Sequence, residues 1–235
     1  MNRDPYSFSV KDKKVVARDT WEITLDTQHT PFSFIPGQYI RMTIPEISKE
    51  VDGGNSRSFT LSSSPTHTTT ITITTRASGS PFKKALLKIP LGENILVRGP
   101  FGEFILPENP KEPVTLIAGG IGITPFLSMI RFELEKKSKR PMALIYANSS
   151  QDRAAYLNEL LQASSDTSHF TFYPYYRRID EAIIKKLPFE RHTMYYLCGP
   201  PMFVAQMKKN LFDVRKIDPD RVLTEDFDGY IGLEN

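Results

Sequence analysis

The chain has 235 residues, 40% of them hydrophobic and 24% charged, with a formal net charge of +3. That suffices for two ordinary cores, excludes a disordered chain, and lacks the Lys/Arg runs and aromatic-basic interleaving of a nucleic-acid binder. One cysteine, Cys198, excludes an internal disulfide and cannot supply the thiolates of an iron-sulfur cluster, so any such cluster is expected on another protein.

The opening MNRDPYSFSV has no basic-then-apolar leader, no apolar run approaches the ~20 residues of a membrane span, and the four histidines show no metal-ligand spacing. A cytoplasmic chain with no membrane span and no metal site is expected. From Ser7 to about Arg98, short runs with period-two alternation predict a small antiparallel barrel or sandwich, broken by Pro36-Gly37 and the polar stretch SKEVDGGNS. Within it RSFTLSSSP, 57–65, sends Arg57 and Phe59 to one face and Ser58 and Thr60 to the other. Arg57 suits a phosphate held bidentately and Thr60 offers a hydroxyl to a ring; the alternative is a plain strand with a surface arginine.

The clearest strand is TTTITITTR, 68–76, with Thr70, Thr72 and Thr74 on one side and Ile71, Ile73 and Thr75 on the other. After it, ASGSPFKKALLKIP sets Gly79 and Ser80 before a helix that starts near Pro81, with Lys83 in its first turns. The free amides there suit an anion, and Ser80 suits an N-cap. The lysines at 11, 13, 14, 83, 84 and 88 read as a solvated face or as a surface for an acidic partner.

LPENPKEP, 106–113, with its three prolines and several charges, predicts the boundary between a domain over 1–107 and another over 108–235. Beyond it strand and helix patterns alternate through VTLIA, MALIYA, FTFYPYY, MYYLC and RVLTEDF, which predicts a parallel, doubly wound sheet. The first strand runs into Gly119-Gly120-Ile121-Gly122 and then a helix, placing backbone N–H groups where a phosphate is favoured. The turn lacks the Gly-Lys-Ser/Thr of a P-loop, and Pro125 breaks a G-x-G-x-x-G pattern; a plain tight strand-to-helix turn is the alternative. LCGPPMF, 197–203, forms a second such turn on the same sheet edge, with Cys198 either facing a ligand ring or buried as a small hydrophobe.

PGQY (36–39), RSFT (57–60), SGSPF (78–82), RGPFGEF (98–104), AGGIGITP (118–125), CGPPM (198–202) and EDFDGY (225–230), in this order, resemble the ferredoxin-NADP reductase superfamily over nearly the whole chain. The resemblance implies an N-terminal six-stranded antiparallel Greek-key β-barrel that binds a flavin, FAD rather than FMN. It also implies a C-terminal α/β domain with a doubly wound five-stranded parallel sheet that binds NADP or NAD.

It assigns Arg57 to flavin phosphate, Phe59 to packing near the isoalloxazine or ribityl chain, and Thr60 to the flavin N5, with Ser58 between them. Thr74, Thr75 and Arg76 would line the flavin, and Gly79, Ser80, Pro81 and Phe82 would hold its pyrophosphate. Gly119, Gly120, Gly122, Ile123 and Thr124 would hold the NAD(P) pyrophosphate, and Cys198, Gly199, Pro200, Pro201 and Met202 would flank the nicotinamide ribose. Glu225 and Phe227 would return towards the flavin and shield or protonate the centre, so Thr60, Cys198 and Glu225 form the implied catalytic group.

Position 59 departs from the commoner Tyr, and there is no four-Cys tail, which implies the short form without a fused ferredoxin module. Ser149, Ser150 and Arg153, with Arg177 and Arg178 later and no acidic residue at the strand end, tilt the reading to NADP. The activity implied is hydride transfer from NAD(P)H to flavin, then electron transfer to a protein or small-molecule acceptor such as ferredoxin, flavodoxin or an oxygenase partner. A free-flavin or quinone reductase, and an electron-transfer subunit without turnover of its own, are the alternatives.

Overall fold

The computed structural model describes residues 4–45, 47, 54–77, 80–186 and 193–227. The first half supplies β1 (Tyr6–Ala17), β2 (Thr20–Asp26), β3 (Tyr39–Thr43), β4 (Ser56–Thr60), β5 (Thr70–Arg76), α1 (Pro81–Lys88) and β6 (Asn94–Phe101). Among the described residues these strands form one antiparallel six-stranded sheet in the order β4-β3-β6-β1-β2-β5. The sheet closes on itself: Leu61, just past β4, bridges to Ile73 of β5, and the Ser62 N–H donates to the Thr72 carbonyl at 2.8 Å. Closure removes the open edges. Alternation then fixes the inside, where Phe8, Ile23, Ile40, Leu61, Ile71 and Ile73 are buried, and Phe82 and Leu86 of α1 belong to the same core.

The second half supplies β7 (Val114–Gly119), α2 (Ile123–Glu135), β8 (Met142–Ala147), α3 (Leu157–Asp166), β9 (Phe170–Tyr175), α4 (Glu181–Lys186), β10 (Met194–Gly199), α5 (Pro201–Asp213) and β11 (Val222–Asp226). Its parallel sheet has the order β11-β10-β7-β8-β9 among the described residues. Every residue of β7 is buried, because helices cover both faces. Leu116, Leu144 and Tyr196 look to the core shared with α2 and α3, while Ile117, Ile145 and Leu197 look to the core shared with α4 and α5. Pro174 is tolerated because β9 is an edge strand. No helix among the described residues is long and apolar enough to cross a membrane.

Packing carries the second core upstream of the expected 107/108 boundary. Phe104 lies 5.3 Å from Tyr196 and 5.9 Å from Phe126, ring centre to ring centre, and Leu106 packs on the same cluster. The linker itself is pinned by Arg140, which is 3% exposed. Its guanidinium donates to the carbonyls of Pro107 (2.8 Å), Asn109 (3.0 Å) and Glu112 (3.0 Å) and pairs with Glu133 at 3.4 Å. A buried cation with this many acceptors leaves them all unsatisfied when it is removed. Arg140→Ala is therefore expected to lower unfolding free energy by about 3 kcal/mol in denaturant titration. Arg140→Lys, which keeps the charge but not the fork, recovers only part of that loss.

Candidate functional site

On the barrel, β4 and α1 gather cations. The Arg57 guanidinium donates to the Ser56 carbonyl at 2.8 Å and lies 5.7 Å over the Phe82 ring, so its charge is aimed along the start of α1. Burial, and then the charges of Arg57 and Arg76, push the Lys83 ammonium below its usual range. Three cations thus converge on one place, which an anion would relieve. Ser80, 1% exposed at the head of α1, makes no capping bond, and its Oγ is buried without a hydrogen-bond partner. An orphaned donor beside clustered cations and a helix N-terminus fits a phosphate group. Pro81 opens that helix, and Gly79 lies outside the described residues.

Strand alternation decides the neighbours. Phe59 belongs to the barrel core with its ring 6.0 Å from Phe82, while Ser58 is exposed and Thr60, on the outer face, is only 5% exposed. Thr75 is buried, and Thr74 spends its hydroxyl on Ser62 (2.9 Å) and on Tyr156 of the second domain (2.6 Å). Arg76 reaches further: a Cβ on Gly120 would come within 2.4 Å of its Nη2. The barrel therefore delivers a guanidinium to the glycine turn of the other domain.

That turn lies at the switch point of the parallel sheet, where the chain runs outward from β7 through β8 and β9 and then returns to β10 on the other side. Residues 120–122 form a single 3-10 turn, and Gly120 has φ +53°, a left-handed conformation that favours glycine. Gly122 is needed for a different reason. Its Cβ would stand 2.3 Å from the Cys198 carbonyl oxygen, so the two strand-end turns can touch only because this position is bare. Gly119 and Gly199 meet beside the Phe203 ring in the same contact.

Ile123 points into the second core, and its N–H is taken by Gly120 and Ile121 carbonyls; Thr124, 3% exposed, donates to the Ile121 carbonyl at 3.2 Å. Pro200 and Pro201 are exposed at the start of α5, and Met202 is 84% exposed there. Cys198 has no exposed surface; burial first, then Glu225 and Asp226, pushes its thiol well above the usual value. Its side chain packs as a small hydrophobe of the second core. Glu225 sits beside it in register, with Oε2 buried and without a hydrogen-bond partner, and burial followed by the Asp226 charge raises its carboxyl to about 7. The Phe227 N–H donates to the Gly199 carbonyl at 3.0 Å, and residues 228–230 of the motif lie outside the described ones.

Arg153, one of the residues that tilt the sequence reading to NADP, pairs with Asp19 of the barrel at 3.4 Å, and Ser150 bonds Asp152. Ser149, Arg177 and Arg178 are exposed. Three residues at the domain contact escaped sequence reading: Glu22, Arg131 and Tyr156. Each carries an interaction with a partner far away in sequence, so no local pattern marks it.

Residues 7–105 match the model of the oxidoreductase FAD-binding domain and residues 116–209 that of the oxidoreductase NAD-binding domain. The reductase component of propane 2-monooxygenase from Mycolicibacterium goodii is 27% identical over 215 residues, 83% of this chain and 60% of that protein. A flavohemoprotein from Oceanobacillus iheyensis is 28% identical over 196 residues, 76% of this chain and 48% of that protein. The chain thus spans roughly half to three fifths of the length of these two relatives. Among solved structures, the flavohem-like FAD/NAD-binding domain of nitric oxide dioxygenase from Vibrio cholerae superposes with a TM-score of 0.81 at 22% identity, covering 96% of this chain and 99% of that one.

Two outcomes follow from the geometry. Gly122→Ala forces a methyl onto the Cys198 backbone and is expected to destabilise the fold by about 1–3 kcal/mol in thermal unfolding, as overpacking does. A carboxyl raised in the fold is still protonated there when its unfolded counterpart has ionised. Glu225 therefore makes stability fall as pH rises from 4.5 to about 7, and Glu225→Gln flattens that part of the stability profile.

Proposed function

We propose that this chain, which belongs to the ferredoxin-NADP reductase superfamily, acts as an NAD(P)H-dependent flavin oxidoreductase. It takes a hydride from NADH or NADPH and passes the electrons to an acceptor outside the described chain. The observation that carries this reading is Arg76, a barrel residue whose guanidinium stands on the glycine turn of the nucleotide domain, so that both nucleotide sites share one interface. The barrel, within residues 1–107, would hold FAD, and residues 108–235 would hold the dinucleotide.

A bound flavin would supply hydride acceptance and electron release, chemistry that the protein's own side chains lack. The chain supplies the rest. Arg57, Lys83 and Ser80 neutralise and bond a phosphate, and Thr60 offers a hydroxyl beside it on the outer face. Arg76 and the turns at 119–122 and 199–201 receive the second phosphate group. Glu225, half-protonated near neutrality, can keep or release a proton at the strand ends.

An oxygenase or a small electron-carrier protein is the proposed acceptor class. It is supported by the monooxygenase reductase relative and by a single cysteine, which leaves any iron-sulfur cluster to another chain or segment. A cytoplasmic location is part of the same proposal. The FAD-loaded chain is expected to reduce ferricyanide with NADH or NADPH. Arg57→Ala and Lys83→Ala should each weaken FAD about 10- to 100-fold in fluorescence titration, the loss of one charged hydrogen bond. A purified chain that binds no flavin contradicts the reading.

A further inference from the structure

Between the barrel and the nucleotide domain, two clefts of about 700 Å³ and 330 Å³ flank a narrow bridge of side chains. Tyr156 borders the first, Glu22 the second, and Glu159 both. At the bridge the Tyr156 hydroxyl donates to Glu22 Oε2 at 2.8 Å and lies 2.6 Å from Thr74 Oγ1. Thr74 is 2.9 Å from Ser62 Oγ, which is 3.1 Å from Thr72 Oγ1. Glu22 is also paired with Lys14 at 2.8 Å, and Arg131 stands 3.8 Å from it. Glu22, Ser62, Thr74 and Tyr156 are all buried.

The direction of this chain is fixed by proton counting. Tyr156 uses its one hydroxyl hydrogen as donor to Glu22, so Thr74 must donate to Tyr156, Ser62 to Thr74, and Thr72 to Ser62. Burial and the Glu22 charge both raise the Tyr156 phenol, which keeps that proton in place. Arg131 tightens the arrangement from α2. It lies 5.0 Å over the Tyr156 ring, grips Glu159 bidentately at 2.6 and 2.8 Å, and donates to the Ser62 carbonyl at 2.9 Å. Tyr156 itself has φ +60°, an uncommon conformation for an aromatic residue, and it persists because both ends of the side chain are held.

The anchors on the barrel are not arbitrary. Ser62 lies two residues beyond Thr60 on the same outer face, and Thr74 lies two residues before Arg76. We infer that this hydroxyl-carboxylate chain sets the docking of the two domains, making Tyr156, Glu22 and Thr74 positioning residues for hydride transfer. The inference rests on the proposed function. A buried, fully partnered polar chain admits one arrangement, whereas the apolar contacts beside it can slide.

The test uses the full FAD-loaded chain with Tyr156→Phe and Thr74→Val, which remove hydroxyls at nearly constant volume, and Glu22→Gln, which keeps an acceptor. In rapid mixing, Tyr156→Phe is expected to lower the limiting rate of flavin bleaching by NADH or NADPH about 10- to 100-fold, the effect of a small misplacement of reactants. FAD affinity and KM for the dinucleotide should stay within about twofold, and Glu22→Gln should lose less. Independently of turnover, amide hydrogen exchange in the flavin-free variant should quicken at residues 62–64, 72–76 and 157–160 while the sheet cores stay protected.

Unchanged exchange with an unchanged limiting rate overturns the inference, as does a loss that follows flavin affinity or general destabilisation. A wild-type chain that neither dinucleotide reduces overturns the functional reading alone. The exchange measurement then decides whether the chain of bonds sets the docking.

Discussion

The carbonyls of Ser62 and Ser63, where β4 ends and the barrel closes, are held from the other domain by Arg131 at 2.9 Å and Ser128 at 2.6 Å, both on α2. The proposed function depends on that grip. The barrel alone offers a cluster of cations and an outward hydroxyl; the parallel sheet alone offers two glycine turns in contact. Only the docking brings Arg76 onto Gly120. A helix that starts at the switch point and ends against the barrel links the glycine turn to the barrel edge.

Charge is distributed unevenly across this joint. Lys83 lies within reach of the charges of both Arg57 and Arg76, which together with burial push its ammonium below its usual range. Elsewhere at the joint carboxylates and cations alternate, with Glu22 against Lys14 and Tyr156, Glu159 against Arg131, and Asp19 against Arg153, a pair whose charges also reach Arg76. Exposed pairs such as Arg18 with Asp152 add little energy, while the buried Tyr156–Glu22 contact adds geometric definition.

Much of this was legible in the sequence because it is local. Period-two alternation in TITITTR identified the inward isoleucines, the strand-glycine-helix grammar located both turns, and the order of motifs carried the family, as the two matching domain models bear out. What stayed hidden is set by pairs distant along the chain. Thr74 reads as a cofactor-facing hydroxyl until Tyr156 appears across the interface, and Arg140 is an ordinary helix-following arginine until it meets three linker carbonyls. The bare position of Gly122 reads equally well as a phosphate contact; the Cys198 carbonyl shows that close approach of two strands already requires it.

The central claim is that a hydride crosses from a dinucleotide on the second domain to a flavin on the first. Single-turnover mixing of the FAD-loaded chain with NADH or NADPH deuterated on one face of C4 at a time tests it most directly, with flavin absorbance as the readout. The account predicts bleaching in one phase, slowed by deuterium on one face and indifferent to deuterium on the other, because a fixed docking presents one face only. Bleaching that ignores deuterium on both faces, or flavin that stays oxidised, would contradict it.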